Sequence, residues 1–412
     1  MIRIEEFPYS IHELSNGIRL VHRHSTSPVA HCGITIDVGS RDELHSENGM
    51  VHFIEHCIFK GTEKRKAFHI LNRIDGVGGE LNAFTTKEET CIYAAFLNSY
   101  HERFLELLAD IVFHSVFPDR ELDKEKVVIL DEINSYEDSP YELIADEFEH
   151  LLFGNHGLGR LILGTPERIN SFTSAKVKEF ISRNYSTESM VISVVSSIEA
   201  DKWFSLCEKY FARQEKMSSR HKRYPPRNCV PRVRVEERDT FQSHLMIGTK
   251  AYGYKSEKKL AFSLLNNILG GPAMNSYLNM HIREKYGFAY TIESMYTAYS
   301  DCGVFSIYAG TDKKYAERTI RLIMDELDRF TQEKISDGTL LKYKKQMMGQ
   351  LAINMDSNQN DMLSAAKALL NFGKVDSLQT VYDSIERLTA EDLLICAREI
   401  FAPEKLSRMQ YV

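Results

Sequence analysis

The chain repeats itself, and the repeat constrains its fold more tightly than any bulk property. The strand-like run VAHCGITIDVGS, from Val29, is echoed by QSHLMIGTKAYG, from Gln242, at an offset of 213 residues. At the same offset, IYAAFLNSYHERFLELLADIV, from Ile92, is matched by FSIYAGTDKKYAERTIRLIMDEL, from Phe305. Both pass from strand-like alternation into a long amphipathic helix. Further on, RINSFTSAKVKEFISRNYS is similar to DSIERLTAEDLLICAREIFA, with Thr173 and Thr389 placed as helix N-caps. Each half therefore reads as a strand, helices, paired strands and then several more helices. The expected fold class is α+β: two homologous repeats, each an antiparallel sheet packed against helices.

Between the halves, RQEKMSSRHKRYPPRNCVPRV is basic, proline-containing and poor in apolar residues, which marks a linker. The expected domains are residues 1–212 and 236–412, joined by 213–235. The basic run lacks interleaved aromatics, so it does not read as a nucleic-acid patch. A mass of 47.4 kDa with 43% hydrophobic residues suits two domains with sizeable cores. The net charge of -7 gives no pull toward nucleic acid or an acidic membrane. No apolar run approaches the roughly 18 residues needed to span a bilayer. The opening MIRIEEFPYSIHEL lacks the basic start and apolar core of a signal peptide. Seven cysteines, an odd number without a C-x-x-C pair, read as reduced thiols. The expectation is a cytoplasmic protein without membrane or nucleic-acid partners.

One short stretch breaks the symmetry of the halves. In GMVHFIEHCIFKGT, His52, Glu55 and His56 stand at i, i+3 and i+4, on one face of a helix. Val51, Ile54 and Ile58 form an apolar stripe to one side, which can anchor the helix in a core. A lone histidine on a helix is ordinarily just a polar residue. Two imidazoles one turn apart can reach one tetrahedral ion, and zinc suits them best. A carboxylate between them is placed to take a proton from a metal-activated water. Cys57 reads as core packing rather than a ligand. Carried forward by 213 positions, the three polar residues become Leu265, Ile268 and Leu269. The repeat does not need them to fold, so the first half has them for chemistry.

With this motif and the repeat in hand, the chain resembles, over essentially its whole length, the pitrilysin and mitochondrial processing peptidase family of zinc metalloproteases, whose signature is the inverted His-x-x-Glu-His motif. The resemblance implies Zn²⁺ as cofactor and a third ligand at Glu132, 76 positions after His56. It implies an orienting acid at Glu125, seven positions earlier. GGELNAFTTKEETCIYA, residues 78–94, matches the family's edge strand, which implies that Asn82 and Ala83 pair with an extended peptide. GGPAMNSYLNMHIREKYGFAYTIES matches the segment whose Arg and Tyr, here Arg283 and Tyr290, bind substrate carbonyls. Glu142 and Asp146 stand where the processing peptidases recognise a basic residue, although an exposed acidic face is the plain alternative.

The function so implied is a zinc-dependent endopeptidase, with Glu55 as general base, hydrolysing unfolded peptides or oligopeptides held in extended form inside a closed chamber. Short family members imply a homodimer, or a heterodimer with a related chain, whose active sites are completed in trans. The alternative is a non-catalytic zinc-binding partner subunit. A zinc-binding structural protein fits less well, because structural sites favour closed, Cys-rich ligation.

Overall fold

The computed structural model describes residues 8–217, 222–227 and 229–412. Of the expected linker, residues 218–221 and 228 lie outside the described residues, as do residues 1–7 of the opening stretch read as lacking a signal peptide. The strands are β1 (Tyr9–Glu13), β2 (Arg19–His24), β3 (Val29–Ile36), β4 (Glu80–Thr85), β5 (Thr90–Leu97), β6 (Met190–Ser196), β7 (Val233–Glu236), β8 (Ser243–Ala251), β9 (Ala289–Ala298), β10 (Gly303–Thr311) and β11 (Ser407–Tyr411). The helices are α1 (Met50–Cys57), α2 (Ala67–Asp75), α3 (His101–His114), α4 (Asp119–Glu137), α5 (Pro140–Phe153), α6 (Pro166–Ser171), α7 (Ser174–Asn184), α8 (Ala200–Tyr210), α9 (Lys259–Gly270), α10 (Ala316–Gln332), α11 (Asp337–Met355), α12 (Asn358–Phe372), α13 (Leu378–Arg387) and α14 (Ala390–Ile400).

The fold is α+β with two sheets, one in each of two compact units. The first sheet runs β1-β2-β6-β3-β5-β4 and the second β7-β11-β8-β10-β9. With β1 set aside, the orders are the same, β2 to β6 matching β7 to β11 strand by strand. Each sheet is antiparallel except for one pair, β2 with β6 and β7 with β11, which run parallel. Parallel neighbours need a long crossover, and here nearly the whole half of the chain forms it. The absence of a β1 counterpart among the described residues has a reason in the sequence. At the 213 offset, Tyr9–Glu13 becomes residues 222–226, KRYPP, and Pro225 and Pro226 have no N–H to give a ladder.

Unit 1 comprises the described residues up to Asn134, Leu161–Arg223 and Ala352–Gln379; unit 2 comprises Ser135–Arg160, Tyr224–Leu351 and Thr380–Val412. The units are thus not the linear halves. In unit 1, α3 and α8 pack on one face of the sheet, while α12, from the second half of the chain, covers β2, β3 and β6. In unit 2, α9, α10 and α14 pack on the sheet, while α5, from the first half, lies on β8 and β11. A sheet has two faces to bury, and each half supplies one of its helices to the other half's sheet. Two small residues, Ala365 and Ala366, allow the close approach of α12, and with Leu369 they bury against Val21 and Val191. On α5, Ile144, Phe148 and Leu152 bury against Met246, Tyr308 and Met409.

Arg223, expected in a solvated linker, is an anchor of unit 1. Its guanidinium donates to Asp37 at 2.6 Å, to both Asp42 oxygens at 2.7 and 2.8 Å, and to the Glu88 carbonyl at 2.9 Å. All seven cysteines are free thiols, six of them buried, with Cys57 in the core of unit 1. Among the described residues no helix is long and apolar enough to cross a membrane.

Candidate metal centre

Helix α1 is set by sequence at its start and by burial along its length. Gly49 sits at φ 94°, a left-handed conformation that L side chains avoid, and a Cβ there would come within 2.9 Å of Gly164 Cα and the Leu163 carbonyl. Val51, Phe53, Ile54 and Cys57 are fully buried, and Phe53 stacks edge-on against Phe172 at 5.3 Å. That packing turns His52, Glu55 and His56 to one side. Their face is less enclosed: His52 is buried, while Glu55 and His56 are half-buried.

α4 brings Glu132 to the same place. Its Oε1 lies 3.7 Å from His52 Nε2 and its Oε2 lies 3.4 Å from His56 Nε2. The two imidazole rings stand 4.6 Å apart, centroid to centroid. One donor atom from each of the three residues falls within 4.8 Å of the others. Donors at zinc–ligand distances of about 2.0–2.1 Å in a tetrahedron are separated by about 3.3 Å, so the spacing is close to that of a ligated ion. Burial pushes the His52 imidazole down to about 4, with His56 adding to the effect, so the ring is neutral near pH 7. A neutral imidazole is the form that binds a metal. The donor set, two imidazoles and a carboxylate with one position open, fits a zinc-type ion.

Glu125 stands behind His56, on the buried side of α4. Its Oε2 is 3.4 Å from His56 Nδ1, in position to accept a proton there and leave Nε2 facing Glu132. The other Glu125 oxygen pairs with Lys60 Nζ at 2.6 Å. Lys60 was not singled out from the sequence, although its i+4 spacing from His56 put it one turn further along the same face. The Glu55 carboxyl is raised above its ordinary range by burial, opposed by the Thr85 hydroxyl and His56 and helped by Glu132.

Asn82 and Ala83 lie on β4, the edge strand of the first sheet, and pair with Tyr93 and Ile92 on their inner side. Both α1 and α2 pack beside β4. Arg283 and Tyr290 belong to unit 2. Arg283 is on a π-helical turn, Asn279–Glu284, and Tyr290 is the second residue of β9, with its hydroxyl donating to Asp312 at 3.0 Å. Glu142 and Asp146 also belong to unit 2, on α5. Glu142 is exposed, and Asp146 accepts a hydrogen bond from the Tyr136 hydroxyl.

Two duplicated α+β units, with an inverted His-x-x-Glu-His helix in the first alone, define a class of metallopeptidase-like chains. Two family descriptions match: Insulinase (Peptidase family M16) over residues 19–166, and Peptidase M16 inactive domain over residues 171–347. The chain is 34% identical over 390 residues to the uncharacterized zinc protease YmxG of Bacillus subtilis, covering 94% of this chain and 95% of that protein. It is 31% identical over 396 residues to the uncharacterized zinc protease SCO5738 of Streptomyces coelicolor, covering 94% and 86%. In fold it is similar to a protease from Helicobacter pylori, at a TM-score of 0.92 and 22% identity, covering 98% of this chain and all of that one. The chain belongs to peptidase family M16, as a pitrilysin-type member of bacterial kind.

Proposed function

We propose that the chain is a zinc-dependent endopeptidase acting on unfolded peptides or oligopeptides bound in extended form. The observation that carries this reading is the convergence of His52, His56 and Glu132 beside Glu55, from segments far apart in sequence. When bound, Zn²⁺ supplies a Lewis acid for the scissile carbonyl and lowers the pKa of a water. Glu55, a carboxyl raised by burial, takes the water's proton and hands it to the leaving amine. Glu125 fixes the tautomer of His56. The open edge of β4, around Asn82 and Ala83, adds the substrate as a further strand, so backbone rather than side chains is read. Cleavage of a fluorogenic peptide together with zinc content is the test. Wild type should have both, Glu55→Gln should retain zinc and lose at least about 10³-fold in turnover, and Glu132→Gln should lose the metal. Equal turnover in Glu55→Gln would end this assignment.

The remaining parts of the reading concern unit 2 and assembly. Arg283 and Tyr290 steady the carbonyl oxygen, and Glu142 with Asp146 favours a basic residue near the cleaved bond. A cytoplasmic homodimer closes the chamber, each site taking its Arg283 and Tyr290 from the partner copy; a related chain could fill the same role. Mixing inactive Glu55→Gln with inactive Arg283→Ala chains should then restore part of the activity. If subunits exchange and the mixture stays inactive, the sites are not shared. The non-catalytic alternative is disfavoured because such a subunit has no use for Glu55.

A further inference from the structure

We infer that Glu43 is a positioning residue for the metal centre, acting through the backbone at the start of α1. This rests on the metallopeptidase reading, because it concerns how that centre is held. Glu43 is 4% exposed, yet it is a carboxylate. Its Oε2 accepts from the Gly49 N–H at 3.0 Å and from Asn48 Nδ2 at 3.3 Å, and its Oε1 accepts from the Val51 N–H at 2.9 Å. Val51 immediately precedes His52. Asn48 in turn donates to the Leu161 carbonyl at 2.8 Å, which ties the carboxylate to the segment packed against Gly49.

The need for such a clamp follows from α1 itself. The helix has only eight residues, two turns, and helices this short are marginal without outside support. Its N-cap is Gly49, which has no side chain to satisfy the first N–H groups. A Ser or Asp there would clash with Gly164 and Leu163, so the cap must come from elsewhere. Glu43 supplies it with two charge-assisted bonds and a full negative charge at the positive end of the helix. Because His52 and His56 are one turn apart on so short a helix, fixing its first turn fixes the spacing of both ligands.

The second half of the chain is an internal control. The 213 offset holds on either side of the segment that joins the matching strand and helix, so the two copies align there without insertion. Glu43 then corresponds to Ser256. In that copy α9 runs for 12 residues, begins four positions earlier and has no metal residues. Among the described residues, the Ser256 hydroxyl accepts from the nearby Lys258 N–H, at 3.3 Å. The buried carboxylate and the metal residues are present together in one copy and absent together from the other.

The experiment measures zinc affinity by competition with a chromophoric chelator, beside the thermal melting of the metal-free chain and peptide hydrolysis. Glu43→Gln keeps one acceptor oxygen and loses the charge. It should bind zinc about tenfold or more weakly, the usual size of an effect on ligand orientation. Its hydrolysis should recover at saturating zinc with an unchanged KM for peptide. Thr389→Ala, which removes the N-cap of α14 in unit 2, should lower melting without moving zinc affinity. Glu43→Asp, charged but shorter, should fall between Glu43→Gln and wild type in zinc affinity. If wild type binds zinc and Glu43→Gln binds it equally, with only the melting lowered, Glu43 is a structural cap and the inference falls. A wild-type chain that takes up no zinc would instead overturn the metallopeptidase reading, and this role with it.

Discussion

Helices α1 and α9 occupy matching places in the two copies, yet the stripe that is polar on α1 is apolar at the matching positions of α9. His52, Glu55 and His56 of α1 correspond to Leu265, Ile268 and Leu269 of α9, and these three are fully buried. The same position in the same fold can thus be finished as core or left as a site. The difference lies in what faces it. In unit 1, α4 presents Glu132 and Glu125 to the stripe. In unit 2, Leu265, Ile268 and Leu269 join one apolar cluster with Phe262, Ile292 and Ile307. The matched pair teaches that the metal residues are an addition to a fold that is complete without them.

That comparison can be broken most directly by rewriting α1 as α9. His52→Leu, Glu55→Ile and His56→Leu together should abolish hydrolysis, by about 10⁴-fold or more, and zinc uptake with it. Folding should survive, since replacing buried ionic groups by apolar ones of similar size is often neutral or stabilising, by about 1–4 kcal/mol, and Glu125 keeps its pairing with Lys60. Denaturant unfolding that shows a large loss of stability would mean the stripe is structural after all.

The reverse intrusion should be costly. Ile268→Glu places one charge in unit 2, in a position with 0% exposure and apolar neighbours. It should destabilise the chain by about 3–5 kcal/mol in urea titration, the range expected for an unpaired buried charge. A loss under about 1 kcal/mol would show that the second copy keeps a way to solvate a charge there.

A smaller contrast concerns acid. His22 on β2 is buried beside Ser196, and burial pushes its imidazole down to about 4. At the 213 offset the second copy has Val235. A histidine whose folded pKa is lowered stabilises the fold above pH 6.5 and loses that contribution as pH falls, because the unfolded chain takes the proton first. Between pH 6.5 and about 4 the loss should reach up to about 3 kcal/mol. His22→Val should remove that part of the slope, which unfolding at pH 7.5 and 4.5 would measure. An unchanged slope would assign the acid sensitivity elsewhere.

Local geometry makes much of this legible in the sequence itself. The His52, Glu55, His56 stripe follows from helical spacing alone, and the 213-residue offset locates the matching elements, because alternation and amphipathic period are carried by neighbouring residues. The Thr173 and Thr389 caps are seen at those positions, their hydroxyls accepting from Lys176 and Asp392 N–H groups. The prolines that end the β1 match are also written in the chain. Other features depend on segments brought together across long stretches of sequence, where no period or cap gives a signal. The family resemblance pointed to Glu132 and Glu125, but only folding sets Glu132 3.4 Å from His56 and hands the other side of Glu125 to Lys60. Only folding buries Arg223 between Asp37 and Asp42, which composition had read as a linker cation. It alone sends α5 and α12 to the sheet of the opposite half, because a helix's apolar face states that it must be covered and not by which sheet.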